Sequence, residues 1–234
     1  MNRRRLIFIT SISLLSLLFT DNFTENNFKW SDNDYKKYDF ERFFKLDAAK
    51  RRIDMNDIDY PLLQAAIFYE TNRQRVKNHK ERFLHSSALE KAAQAHSQDM
   101  VKYDFYSHTS PVKGKETMAK RLALVGIVNA TIGENIAYTF GIEYEAGKPV
   151  YTPPQNDGYF SYEFKGKPIE NHTYLGFAES ALEMWMHSPG HRANILNPAF
   201  KYLGVGAAHY KEHSFYDMDY FKLTQNFSNV LGEE

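Results

Sequence analysis

The chain has 234 residues, 43% of them hydrophobic and 15% aromatic, which is enough apolar material for one compact domain with extensions. Lys+Arg and Asp+Glu both number 29, so the charge balance points to no nucleic-acid or acidic-polymer partner. The absence of cysteine excludes disulfides, thiolate metal sites, a cysteine nucleophile and a lipid-modified cysteine anchor.

Met1 to Thr20 reads as an export signal. Arg3, Arg4 and Arg5 form its basic end, and the apolar run from Leu6 to Phe19 is short for a membrane span. No small-x-small triplet follows the run, so an uncleaved membrane anchor is the alternative. The expected location is extracellular or periplasmic, with a membrane contact only through this segment if it is retained. Residues 21–59 are polar and aromatic. Asn and Asp crowd Asp21 to Asp34, the signature of a linker, and Phe40 to Ile53 is a candidate lead-in helix leaning on the domain. The domain proper is expected over residues 60–230.

Pro61 opens the first long helix, with Leu62, Ala66, Tyr69 and Val76 on one face. Ser87-Ala88-Leu89-Glu90 has the spacing of a capping box and opens a second. Leu89, Ala93, His96, Met100 and Tyr103 continue the apolar stripe of that helix. His96 lies inside the stripe and reads as a core histidine with a satisfied partner, whereas His79 and His85 flank a loop and read as solvated. His108 falls in the loop Ser107-His108-Thr109-Ser110-Pro111, the kind of segment on which functional residues concentrate. A third helix is predicted at about Glu116 to Leu124, stopped by Gly126.

Thr131 to Ala137 is a short apolar run broken by Gly133-Glu134-Asn135. A carboxylate between Ile132 and Ile136 is costly to bury alone, so Glu134 either turns to solvent or faces a cation, a histidine or backbone donors. Gly141 to His172 reads as a loop with a hairpin, Lys148–Thr152 and Tyr159–Phe164 flanking the Asn156-Asp157-Gly158 turn. It is either a surface insertion or an overhang above the cleft.

Ser180 to Gly206 organises the rest. Ala178, Ala181, Leu182 and Trp185 share an apolar helix face, with Glu179 and Glu183 on the other side. Ser188-Pro189 restarts the chain as N-cap and first helical residue, and Asn197-Pro198 stops the new helix after Leu196. His191 then sits in a first turn, where the helix dipole disfavours an imidazolium. A neutral ring there can ligate a metal or accept a proton, or do no more than hydrogen-bond a nearby carbonyl. Leu203–Tyr210 and Tyr220–Phe227 read as an antiparallel pair. Gln225 shares a strand face with Phe221, Leu223 and Phe227 and needs a partner, either orienting a cleft group or tying down the backbone.

Taken together, His96-Ser97-x-Asp99-Met100, FYSHTSP, GENIA, WMHSPGHRANILNPAF, LGVG and TQNF, in that order from about Tyr60 to Phe227, resemble the CAP superfamily, also called the SCP domain, in its bacterial, cysteine-free branch. The resemblance implies an α+β fold, a three-layer α-β-α sandwich around a small central antiparallel sheet. It also implies a cleft lined by two histidines and two acidic residues. The family's residues fall on His108, Glu134 and His191; eukaryotic members carry their second histidine on the strand before Thr-Gln, where this chain has Lys222. The second acid's position is occupied by Ser188, so the four-residue set is incomplete.

The cleft set is thus His108, Glu134, Ser188, His191 and Gln225, with Glu134 as candidate base. His108 and His191, with Glu134 as possible third ligand, match a zinc site with one open position, though Glu134 cannot readily be both ligand and base. Three functions follow. They are a module that binds a small ligand, peptide or cell-envelope component, or weakly a divalent metal; a metal-dependent hydrolase of peptides or cell-envelope material; and a lipid- or sterol-binding module with an open aromatic groove away from the histidines.

Overall fold

The computed structural model describes residues 28–232; the export-signal expectation for Met1 to Thr20 lies outside the described residues. Two short helices, α1 (Phe40–Phe43) and α2 (Asp47–Lys50), precede the long α3 (Tyr60–Lys77). The Asp59 side chain accepts from Leu62 N–H at 3.1 Å, and Pro61 fills an early position where no backbone donor is needed. From Leu62 to Tyr69 every side chain except Gln64 is apolar, and all are buried, so this half of α3 is a core helix buried all round. Val76, expected on the same buried face, is instead 44% exposed, because the last turns of the helix bury Asn72 and Arg75, which bond the Phe83 and Ile195 carbonyls.

The sheet has four strands, β1 (Leu84–His85), β2 (Ile132–Phe140), β3 (Tyr202–Glu212) and β4 (Met218–Ser228), in the order β1-β3-β4-β2. β1 is parallel to β3 and the other pairs are antiparallel. The period-2 alternation sorts β4 cleanly. Phe221, Leu223, Gln225 and Phe227 face the layer of α3, α6 (Tyr174–His187) and α7 (Pro189–Leu196), while Lys222, Thr224 and Asn226 face α4 (Ser87–Lys102). The result is the expected α+β three-layer sandwich, with α4 and the short α5 (Met118–Ala123) as the second outer layer. Gly204 and Gly206 set the spacing on that side: a β-carbon on either would overlap the α4 backbone at Leu89–Glu90 and Ala93–Gln94. The helix therefore lies directly on the strand.

Four local expectations are corrected. The α4 cap is Ser86, whose Oγ accepts from Leu89 N–H at 3.2 Å; Glu90 turns instead to His85 Nε2 at 2.9 Å and accepts from the Tyr35 hydroxyl at 3.1 Å. His85 is therefore not solvated but stacked on Tyr35, 3.6 Å between centroids. The region around Trp30 is no linker. Trp30 is buried and packs its ring against Tyr35, Phe43 and Tyr69, since an indole of that size gains more from the core than the flanking Asn and Asp gain from solvent. The lead-in helix is broken into α1 and α2.

The 141–172 insertion keeps only one bridge of the expected hairpin, Tyr151–Ser161, around a turn with Asp157 and Gly158 at positive φ. It packs Ile142 and Phe160 against Met218, at the end of the sheet remote from Glu134, and does not cover the region around Glu134. No helix among the described residues is long and apolar enough to cross a membrane.

Candidate functional site

Alternation along β2 points Glu134 toward α4 and α5 and Asn135 toward α6 and α7. Glu134 is almost completely buried, and its compensation is a residue the sequence pattern does not single out. Arg121, in the last turn of α5, forks onto both carboxylate oxygens, Nη2 donating at 2.8 Å to Oε1 and 2.6 Å to Oε2. Arg121 Nη1 also donates to the carbonyls of His108 and Lys115, both at 3.1 Å, so one guanidinium fixes the carboxylate and the loop beside it. The carboxylate set among apolar residues at Glu134 is the only sequence signal for such a cation.

The remaining acceptor sites are filled. His108 Nδ1 lies 2.8 Å from Glu134 Oε1, so Nδ1 carries the donated proton and Nε2 is the ring nitrogen turned away from the carboxylate. The Asn226 carboxamide, turned nitrogen toward Glu134, donates to Oε2 at 3.2 Å and accepts from Ala93 N–H at 3.1 Å. Burial alone pushes the Glu134 carboxyl up. The His108 hydrogen bond and the charge and hydrogen bonds of Arg121 outweigh burial and hold it below the usual carboxylate range. Glu134 is therefore an anion locked by donors, and its oxygens are not available to a cation or a proton.

Behind this pair, His96 is fully buried with Nε2 3.2 Å from the Ser107 carbonyl and 3.9 Å from Glu134 Oε1. Its Nδ1 has no protein partner among the described residues, so the expectation of a satisfied core histidine holds for one nitrogen only. Burial drives its pKa down to about 4, which keeps the ring neutral.

His108 is 55% exposed at the side chain and, with Thr109, Thr117, Met118 and Glu134, lines a shallow depression of about 390 Å³. His191 occupies the expected first turn of α7 and is half-buried. Burial lowers its pKa, and the charge of His108 adds to the same shift; His191 is not among the residues that line the depression beside His108. Asn135 aims α7: its Nδ2 donates to the His191 carbonyl at 3.2 Å and to Gln225 Oε1 at 3.1 Å, and its Oδ1 accepts from Asn194 at 2.8 Å.

Gln225 does not reach the cleft. It is fully buried, and its Nε2 donates to Thr71 Oγ1 at 2.8 Å, so it acts on the site through Asn135. Ser188 takes the N-cap position of α7, but its hydroxyl makes no cap bond. Its role is the sharp break between α6 and α7. Lys222, at the eukaryotic histidine's position, is turned into the α4 terminus and donates to the carbonyls of Met100 at 2.8 Å and Phe105 at 3.1 Å.

The residues do not fit the three-ligand zinc set. Glu134 is consumed by Arg121, and among the described residues no three His, Asp or Glu side chains converge in a way that holds a metal ion.

Among known proteins, the chain is 33% identical over 137 residues to the uncharacterized protein YkwD of Bacillus subtilis, an alignment covering 58% of this chain and 38% of that protein. It is similar to an extracellular protein containing an SCP domain from Bacillus anthracis, with 26% identity, a TM-score of 0.48, and coverage of 74% of this chain and 42% of the other. It is also similar to an outer surface protein of Borrelia burgdorferi, with 14% identity, a TM-score of 0.43, and coverage of 76% of this chain and 97% of the other. The chain thus spans well under half the length of the two Bacillus proteins. Residues 68–227 match the cysteine-rich secretory protein family, CAP, a span that contains every site residue described above. Although it has no cysteine of its own, the chain belongs to the CAP family.

Proposed function

We propose that this is an exported CAP module that binds a ligand through the imidazoles of His108 and His191, without catalysis by Glu134. The observation that carries this reading is the commitment of Glu134. Both oxygens are held by Arg121, one also by His108, and the carboxyl is acidified, so it is poorly suited to take a proton. What faces solvent instead is His108, oriented by Glu134 like a carboxylate-backed ligand histidine, with a neutral His191 nearby. Such a pair suits a polar small ligand, a peptide or a cell-envelope fragment, and holds a divalent metal only weakly, since two protein ligands fall short of a closed or catalytic zinc site. Export rests on the basic and apolar pattern of Met1 to Phe19.

A zinc titration of the purified protein, followed by the histidine ring resonances, tests the reading. Zinc is expected to shift His108 and His191 together, to be micromolar or weaker, and to be lost in His108→Ala. Tight zinc with shifts that include His96, or binding abolished by Glu134→Gln in a protein that remains folded, would show a ligand set this geometry does not contain.

A further inference from the structure

Beyond the end of α4 the sheet carries a row of tyrosines that the cleft does not use. On the face shared with Glu134 stand Tyr138 of β2, Tyr220 of β4 and Tyr210 of β3, with Tyr106 from the His108 loop at the near end. Tyr106 and Tyr138 meet edge to face at 5.1 Å, Tyr138 and Tyr220 stack at 6.4 Å, and Tyr210 and Tyr220 lie 5.7 Å apart. One wall is the turn after α4; the other is Phe140, Tyr144 and Phe215, packed on the 141–172 insertion. Tyr106 and Tyr138 are 45% and 51% exposed, although rings this large are ordinarily drawn into the core. The Tyr106 hydroxyl donates to the Ile136 carbonyl at 3.2 Å; those of Tyr138, Tyr210 and Tyr220 have no protein partner among the described residues.

We propose that this row is a binding surface for a neutral saccharide chain. Its chemistry is that of adjoining aromatic rings, of which Tyr138 and Tyr220 lie nearly parallel, with hydroxyls on Tyr138, Tyr210 and Tyr220 unpartnered among the described residues, which suits a ligand with apolar C–H faces and a rim of hydroxyls. Fixed charge argues against a polyanion. Glu212 and Asp104 border the row, and the cation beneath it, Lys222, lies under the Tyr210 ring with its ammonium bonded to backbone carbonyls. Burial and then Glu212 push the Tyr210 and Tyr220 phenols up to about 12, so they remain neutral donors. A lipid fits poorly, because the rings floor an open strip of sheet and carry hydroxyls where a lipid tail needs a closed apolar wall. Tyr138 lies four residues from Glu134 along β2, roughly 13 Å, so the row leads away from the histidines and only Tyr106 adjoins their loop.

The test is calorimetric titration of the full chain with a β-1,4-linked N-acetylglucosamine tetrasaccharide and a neutral glucan of equal length. A heparin fragment and anionic phospholipid vesicles serve as the other arms. Saturable binding of at least one neutral oligosaccharide, insensitive to salt, is expected. Tyr138→Ala should weaken it about tenfold, the loss of one stacking ring, while Tyr138→Phe keeps most of it. Tyr138 is half exposed, so the alanine variant should melt as the parent does. It should also leave the zinc titration of the cleft unchanged, so the two readings fail separately. No saturable saccharide binding, equal affinity in Tyr138→Ala, or binding to heparin or vesicles alone overturns the proposal.

Discussion

Glu134 and Arg121 form an ion pair with both side chains 2% exposed, and such pairs behave asymmetrically. Breaking one by truncation strands a charge in the interior, at a cost of about 3–5 kcal/mol, whereas replacing both with apolar groups of similar volume is often close to neutral. Arg121→Ala should therefore lower the unfolding free energy by that amount in urea titration, and Arg121→Met with Glu134→Leu should recover much of the loss. His96 gives a different signature. The folded ring has its pKa depressed to about 4, so between pH 6.5 and 4 the unfolded chain binds a proton that the native state refuses. Stability should accordingly fall by roughly 3 kcal/mol as pH drops through that window. His172 and His191 are shifted the same way by burial and add to the slope, while the acidified Glu134 loses its contribution only at lower pH. Melting temperatures of His96→Gln and the parent, measured from pH 7 to 4, should converge toward the acid end. At this scale the sequence makes the cost of Glu134 visible but not its remedy. Arg121 sits in a six-residue helix whose placement depends on the loop after His108, and no spacing rule connects it to β2. His85 is illegible for the same reason, because its ring partner Tyr35 is fifty residues away in the chain.

Elements are more legible where the pattern is local. β3 and β4 show in the sequence by alternation, and α7 by Ser188-Pro189 and Asn197-Pro198. β1 does not, because two residues become a strand only through the partner they pair with. The insertion reads as a hairpin because its turn residues are correct, yet most of its backbone is spent on irregular contacts that bury Ile142 and Phe160. The glycines of LGVG acquire their meaning from packing. Gly206→Ala would drive a β-carbon into the α4 backbone, so it should destabilise by more than about 3 kcal/mol or prevent folding, in the range reserved for overpacked or strained cores. Gly190, within α7, has open space around its α-carbon and an ordinary φ. Gly190→Ala should therefore stabilise by about 0.4–1 kcal/mol, through a stiffer unfolded chain and better helix propensity. Opposite signs for the two substitutions in one thermal-melt series would confirm direct seating of α4 on the strand; equal effects would contradict it.

The whole molecule is larger than the CAP match. Residues 28–59 lie before that match, yet Trp30, Phe43, Ala49 and Ile53 belong to the same buried cluster as Leu63, Trp185 and Phe221. The attachment is polar as well as apolar: Tyr69 donates its hydroxyl to the Tyr38 carbonyl at 3.1 Å, Ile53 N–H donates to the His172 carbonyl at 2.9 Å, and Asn171 donates to the Ile53 carbonyl at 2.9 Å. The segment therefore covers the apolar side of α3 that Phe68 and Tyr69 would otherwise expose, closing the α3 layer from outside. Burial on that scale makes it part of the folding unit rather than a tether. Trp30→Ala should destabilise the protein by about 3–5 kcal/mol, as expected for removal of a buried aromatic ring, and by an amount comparable to Leu63→Ala. A chain starting at Tyr60 should melt far lower and associate through the uncovered face of α3. If Trp30→Ala instead shifted the urea midpoint by less than a third of the Leu63→Ala effect, the segment would be an accessory laid on a self-sufficient domain, and the boundary at Tyr60 would be the physical one.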